Sequence, residues 1–157
     1  MNIIDGDLVK MADLGKFDII IHGCNCFHTM GAGIAKEIAT RWPEALEADR
    51  TTGRGSEDKL GNFSLALVQN RVHGKLLIIN LYTQHRYGRD KCYFEYDAFR
   101  EGLRSLRQVL PKGYRIGMPM IGAGLGGGDW RVISSILDNE FEGLDYTVIR
   151  YHGRGRW

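Results

Sequence analysis

The sequence predicts an α/β chain, a three-layer α/β/α sandwich around a mixed, mostly parallel sheet of about six strands. Three observations predict it. Strand-like and helix-like segments alternate along all 157 residues without repeats, low-complexity linkers or blocks of like charge. Two strand segments, residues 18–22 and Lys75–Tyr82, are continuous apolar runs, the pattern of strands covered by helices on both faces. The 21 glycines, about twice the ordinary share of ~7%, gather where strands hand over to helices.

In chain order, Asn2–Asp5 forms a short edge strand, and Asp7 stands where it can cap a helix beginning near Leu8. Residues 18–22 make the first buried strand. Ile34, Ile38 and Trp42 recur at four-residue spacing with Ala35 and Ala39 beside them, a helix that Pro43 ends or follows with another. Residues 53–61, with Arg54, Glu57, Asp58 and Lys59, read as a surface loop. Residues 64–69 alternate in polarity and precede the buried run Lys75–Tyr82. Tyr96, Phe99, Leu103, Leu106 and Leu110 form a helical stripe that Pro111 and Gly113 terminate. Residues 115–120 alternate as a strand. Trp130, Ile133, Leu137 and Phe141 form a second stripe, and residues 146–151 are rich in β-formers.

Composition narrows the function. A hydrophobic share of 43% and a charged share of 25% are ordinary for one globular domain, here expected to span 1–157. Apolar runs fall far short of the ~20 residues that span a bilayer, so no membrane role is expected. A net charge of +2 gives no broad field for nucleic acid, which is therefore not indicated as a partner, although the arginine-rich end from Arg150 could touch phosphates. Three cysteines, Cys24, Cys26 and Cys92, leave one thiol over in any pairing. With no signal-peptide pattern, they point to a reduced, cytoplasmic protein, and a monomer is expected.

Two glycine-rich segments follow predicted strands: residues 22–35, with Met30-Gly31-Ala32-Gly33-Ile34-Ala35, and residues 119–130, with Gly122-Ala123-Gly124-Leu125-Gly126-Gly127-Gly128. Glycine lets backbone N–H groups approach an anion, and the following helix presents its positive end, so the pair suggests a diphosphate clamp. A Walker loop would end in Lys and Ser or Thr, but Gly128 is followed by Asp129 and Trp130. Gly122, Gly124 and Gly127 match the dinucleotide fingerprint, yet only one strand remains after them, and Asp145 stands at its wrong end. His22, Cys24, Cys26 and His28 have zinc-ligand types in strict alternation. Side chains two apart on a strand lie ~6.8 Å apart, too far for neighbours to share one ion, so no metal is expected.

These residues carry a resemblance to the macro domain family of ADP-ribose-binding proteins, over nearly the whole chain. Gly6-Asp7-Leu8 resembles the family's opening motif, His22-Gly23-Cys24-Asn25 stands where Asn-Ala-Ala-Asn is common, and the two glycine segments resemble its two phosphate loops. The second is most similar to that of phage and bacterial ADP-ribose-1″-phosphate-processing proteins and of the terminal ADP-ribose glycohydrolase branch. The resemblance implies that Asp7, beside Leu8, meets the adenine amino group and that Asn25 holds the distal ribose. It implies too that Met30 and Gly31 to Ile34 (Ala32 and Gly33 between), together with Gly122 to Gly127, wrap the diphosphate. Tyr151 is a candidate to pack on adenine or simply a rim aromatic. The glycohydrolase branch uses a lysine and an aspartate whose positions here are Gln84 and Gly126. Neither can supply a nucleophile, and the distal pocket is left more open. Of the remaining groups, His28 is the candidate acid or base beside Asn25, with a solvated loop histidine as its other reading; Asp129 is first a helix cap. The expected function is hydrolysis of ADP-ribose-1″-phosphate to ADP-ribose and phosphate, without cofactor. The alternatives are release of ADP-ribose from modified protein or nucleic acid, and non-catalytic ADP-ribose binding.

Overall fold

Three consecutive isoleucines divide between the two sides of the sheet. Ile19 and Ile21 enter one buried cluster with Ile79 and Leu81, while Ile20 enters another with Leu76 and Ile78. A strand buried on both faces needs helices on both, and the computed structural model, which describes residues 1–151, supplies them. Its elements are β1 (Asn2–Asp5), α1 (Leu8–Asp13), β2 (Ile19–Cys24), α2 (Gly33–Arg41), α3 (Pro43–Arg50), β3 (Phe63–Gln69), β4 (Lys75–Tyr82), α4 (Tyr96–Val109), β5 (Ile116–Pro119), α5 (Trp130–Glu140) and β6 (Tyr146–Arg150). The six strands lie in the order β1-β6-β5-β2-β4-β3. All neighbouring pairs are parallel except β3 and β4, an antiparallel hairpin that makes the sheet mixed. Asn70 closes its turn, Oδ1 accepting from the backbone N–H groups of Val72 and Gly74.

Helices α4 and α5 cover one face through Phe99, Leu103, Leu106, Ile133 and Leu137, all buried. Helices α1, α2 and α3 cover the other through Leu8, Ala12, Ile38 and Ala45. Pro43 does both things open to it: Trp42 ends α2 and starts α3, with Pro43 in the first turn, where its missing N–H costs nothing. Residues 53–61 depart from a plain surface loop. They contain a 3₁₀ turn at Glu57–Lys59, and Lys59 is buried there because its ammonium lies 3.8 Å from the buried Asp49 carboxylate. Among the described residues no helix is long and apolar enough to cross a membrane. Arg154 and Arg156 of the arginine-rich end lie outside the described residues.

Candidate functional site

In a parallel sheet the carboxyl ends of the strands open toward loops that are free to carry function. Here β2, β4 and β5 are neighbours, and the loops that leave them, residues 25–32, 83–95 and 120–129, enclose a cavity of about 390 Å³. The first wall is the N-terminus of α2. Lys36 N–H is the first to bond back into the helix, to Ala32 O, and Ala32 offers no side-chain cap. The preceding N–H groups of Gly33, Ile34 and Ala35, all in the wall, therefore carry the helix's positive end. Gly33 adopts φ +58°, a conformation that side chains resist.

Gly122, Gly124, Leu125 and Gly126 form the opposite wall. The loop folds on itself through Gly127 N–H to Gly124 O at 3.1 Å and Gly128 N–H to Gly122 O at 2.7 Å. Gly122 is at φ +78° and packs so closely on Phe94 that a Cβ there would enter the ring. The 83–95 segment straps over this loop: Tyr93 and Phe94 N–H both donate to Gly126 O, and Glu95 N–H returns to Thr83 O at 2.8 Å. Gln84, Tyr87, Gly88 and Arg89 of the strap face the cavity.

Asn25 completes the floor and is nearly buried. Its Oδ1 accepts from Phe27 N–H at 2.9 Å and its Nδ2 donates to Thr29 O at 3.0 Å, so the amide shapes its own loop while a second proton and lone pair remain. Gln84 Nε2 donates to Arg86 O at 2.8 Å. His28 is elsewhere. It is not in the cavity wall, and its Nε2 donates outward to Thr52 O at 2.8 Å from a backbone at φ +59°. The candidate acid or base is therefore a strut of the Asn25 loop in this structure, because the left-handed turn aims the ring at α3's end. His85 is likewise tied to Gly55 O, and Asp129 caps α5, accepting from Arg131 N–H; the Arg131 guanidinium beside it holds its carboxyl below the usual range.

The alternating His22, Cys24, Cys26 and His28 do not converge. His22 gives its Nε2 proton to Asn80 Oδ1 at 2.6 Å, since the Asn80 amide nitrogen is spent on Ala45 O and Ser64 Oγ. Cys26 Sγ points to Gln84 O, and His28 goes to Thr52. Burial keeps His22 neutral and pushes both thiols up, Cys26 to about 11. Neither is a thiolate nucleophile.

Of the other sequence-derived ligand positions, Gly31, Ala32, Gly33, Ile34, Gln84, Gly122, Gly124, Leu125 and Gly126 join Asn25 around the cavity, whereas Met30, Ala123 and Gly127 do not line it. Met30 and Leu8, the first residue of α1, pack into the same buried core cluster rather than the cavity. Asp7 caps α1, its Oδ1 accepting from Lys10 N–H at 3.1 Å. Asp7 and the half-buried Tyr151 lie outside the cavity wall but at the same carboxyl edge, since Gly6 N–H bonds Arg150 O at 3.0 Å. Sequence reasoning missed Thr29, Thr83, Tyr87, Gly88 and Arg89. The signal was the run of Arg86, Arg89 and Lys91 among tyrosines directly after a buried strand.

No protein-family model matches the chain. It is 39% identical over 153 residues to an uncharacterized 17.5 kDa protein of Enterobacteria phage T4, with 93% of each chain covered. It is 25% identical over 174 residues to an ADP-ribose 1″-phosphate phosphatase of Saccharomyces cerevisiae, covering 92% of this chain and 95% of the relative. Among solved structures, the macrodomain of Mycobacterium tuberculosis DarG superposes with a TM-score of 0.70 at 23% identity, over 94% of this chain and 95% of that one.

Proposed function

We propose that the chain, which has the fold of a macrodomain and resembles an ADP-ribose 1″-phosphate phosphatase over most of its length, binds ADP-ribose along the carboxyl edge of its sheet and hydrolyses ADP-ribose-1″-phosphate to ADP-ribose and phosphate. One observation carries the reading: two glycine loops face each other across the cavity, one backed by the open N-terminus of α2. Backbone N–H groups from two sides match a diphosphate, whose charge is spread over several oxygens. The strand order supports the assignment of the ligand's ends. From β1, next to Asp7, to β4, next to Gln84, are four strand spacings, roughly 19 Å in all. Adenine at Asp7 and Tyr151, diphosphate between the loops, and distal ribose at Asn25 and Gln84 fit that span. The S. cerevisiae relative's name favours a phosphate ester as the bond broken.

In the hydrolysis, water attacks phosphorus, the bond to the ribose 1″ oxygen breaks, and that oxygen takes up a proton. Gln84 and Gly126 offer no covalent route through lysine. Asn25, with a donor and an acceptor to spare, would hold the ribose diol and so fix the angle of attack. We take 1–157 as a single domain that acts as a cytoplasmic monomer. Titration calorimetry should show heat with ADP-ribose and much less with ATP or NAD; no heat with ADP-ribose would sink the reading. Phosphate release from ADP-ribose-1″-phosphate, beside ADP-ribose release from modified acceptors, then separates the ester hydrolase from the alternatives.

A further inference from the structure

We propose that Arg89 is the specificity-determining residue that makes the site prefer a ligand carrying a phosphate on the distal ribose, an inference that rests on the ADP-ribose reading above. Arg89 is the only formally charged side chain in the cavity wall among the described residues; the rest is glycine backbone, amide, hydroxyl, thiol and apolar surface. It meets no carboxylate there. Its neighbour Asp90 accepts from the Tyr93 hydroxyl at 2.7 Å, and no ion pair is found for Arg89 among the described residues. The other cations of the strap are engaged elsewhere: Arg86 lies 5.5 Å from the Phe27 ring centre and Lys91 5.1 Å from that of Tyr93.

The strap is tied to the fold at both ends, by Cys26 N–H on His85 O and by Tyr93 and Phe94 N–H on Gly126 O, its ends are joined by Glu95 N–H on Thr83 O, and within it the Tyr93 hydroxyl donates to Asp90 beside Arg89. Arg89 is thus presented from a braced loop rather than a free one. The strap leaves β4 at Gln84, on the side of the cavity away from β6 and β1. The diphosphate already has two walls of N–H donors. A guanidinium is the group suited to a terminal phosphate, whose free oxygens accept two parallel hydrogen bonds and whose charge approaches two near neutral pH. An acceptor joined through a neutral linkage offers it no such partner.

The test compares the native protein with Arg89→Ala, Arg89→Lys and Arg86→Ala, reading ADP-ribose affinity by calorimetry and the affinity for ADP-ribose-1″-phosphate as KM from initial rates of phosphate release, or by calorimetry if no phosphate is released. The native protein should prefer the 1″-phosphate. Arg89→Ala should cut its affinity for that ligand about 10- to 100-fold, the range for a lost charge-assisted pair, and change ADP-ribose affinity less than about threefold. Arg89→Lys should keep part of the preference, Arg86→Ala all of it, and added salt should erode it. Equal loss for both ligands in Arg89→Ala would assign Arg89 to the diphosphate and overturn the proposal, as would a native protein that binds both ligands equally. Failure of the native protein to bind either ligand would overturn the ADP-ribose reading itself, and normal ADP-ribose binding separates the two failures.

Discussion

Gly122 and Gly31 line the same cavity for different physical reasons. At Gly122 both the left-handed backbone and the Phe94 ring forbid a side chain, whereas at Gly31 nothing lies within 4 Å of the place a Cβ would take. Gly122→Ala should therefore lose about 1–3 kcal/mol of stability and distort the second loop, while Gly31→Ala should stay within about 0.5 kcal/mol of native. Denaturant unfolding of both variants measures the difference. Gly124→Glu should abolish ADP-ribose binding with the fold intact, because it sets a carboxylate in a wall meant for phosphate. Asn25 and His28 form a second contrast. Asn25→Ala removes both the loop's internal bonds and the ribose contact, so it should raise KM and lower kcat together. His28→Asn, which tolerates positive φ, should keep kcat within a few-fold. A loss of 10²–10⁴ in kcat at constant KM would return His28 to the role of acid or base.

Between elements, the loop that carries Asn25 depends on a segment far from it in sequence. Cys26 O accepts from Gly55 N–H at 2.6 Å and from Lys59 Nζ at 3.3 Å, and Cys26 N–H donates to His85 O. Lys59 is held over the Tyr82 ring at 4.4 Å, and the Tyr82 hydroxyl donates to Asp49 Oδ1 at 2.7 Å. Asp49 Oδ2 is buried with no partner among the described residues. Lys59→Met would leave that carboxylate without its one nearby cation, a change that typically costs 3–5 kcal/mol, and thermal unfolding should show it. If Asp49→Asn on the same background restores part of the loss, the cost is the uncompensated charge; no restoration would point to packing. The strands at the site were legible from continuous apolar runs, and its glycine loops from the clustering of glycines directly after those strands. Lys59 was not, since a lysine directly after Glu57 and Asp58 reads as solvated until Asp49 is brought beneath it by α3. The aim of His28 was equally hidden, because it depends on one positive φ that no residue type announces. The same limit applies to Arg89: sequence shows a basic loop, but only the folded strap shows which of its cations faces the cavity.

Across the whole molecule, buried polar groups tie stability to pH in a way that can be worked out in sign. His22 lies fully buried between the sheet and α3, and burial holds its imidazole below the ordinary value near 6.5. The unfolded chain therefore binds a proton at His22 that the folded chain refuses, and stability contributed by this residue is complete above about pH 6.5 and lost as pH falls further. Asp13 and Asp18 act lower on the scale. The hydrogen-bonded guanidiniums of Arg41 and Arg115 hold their carboxyls below the usual range, so their contribution is present above about pH 4 and lost as pH falls through the folded values. Two limbs are expected in a plot of unfolding free energy against pH: a gentle one beginning near 6.5, no steeper than about 1.4 kcal/mol per pH unit from His22, and a second below 4. Denaturant titrations at half-unit steps from pH 8 to 3 would resolve them. His22→Gln removes the proton acceptor but keeps a donor for Asn80 Oδ1, so it should flatten the His22 contribution to the upper limb and leave the lower one in place. An upper limb unchanged by His22→Gln would mean that another group supplies it and that the His22–Asn80 pair is pH-neutral. A lower limb that survives Asp13→Asn undiminished would likewise remove the Arg41 pair from the account of acid unfolding.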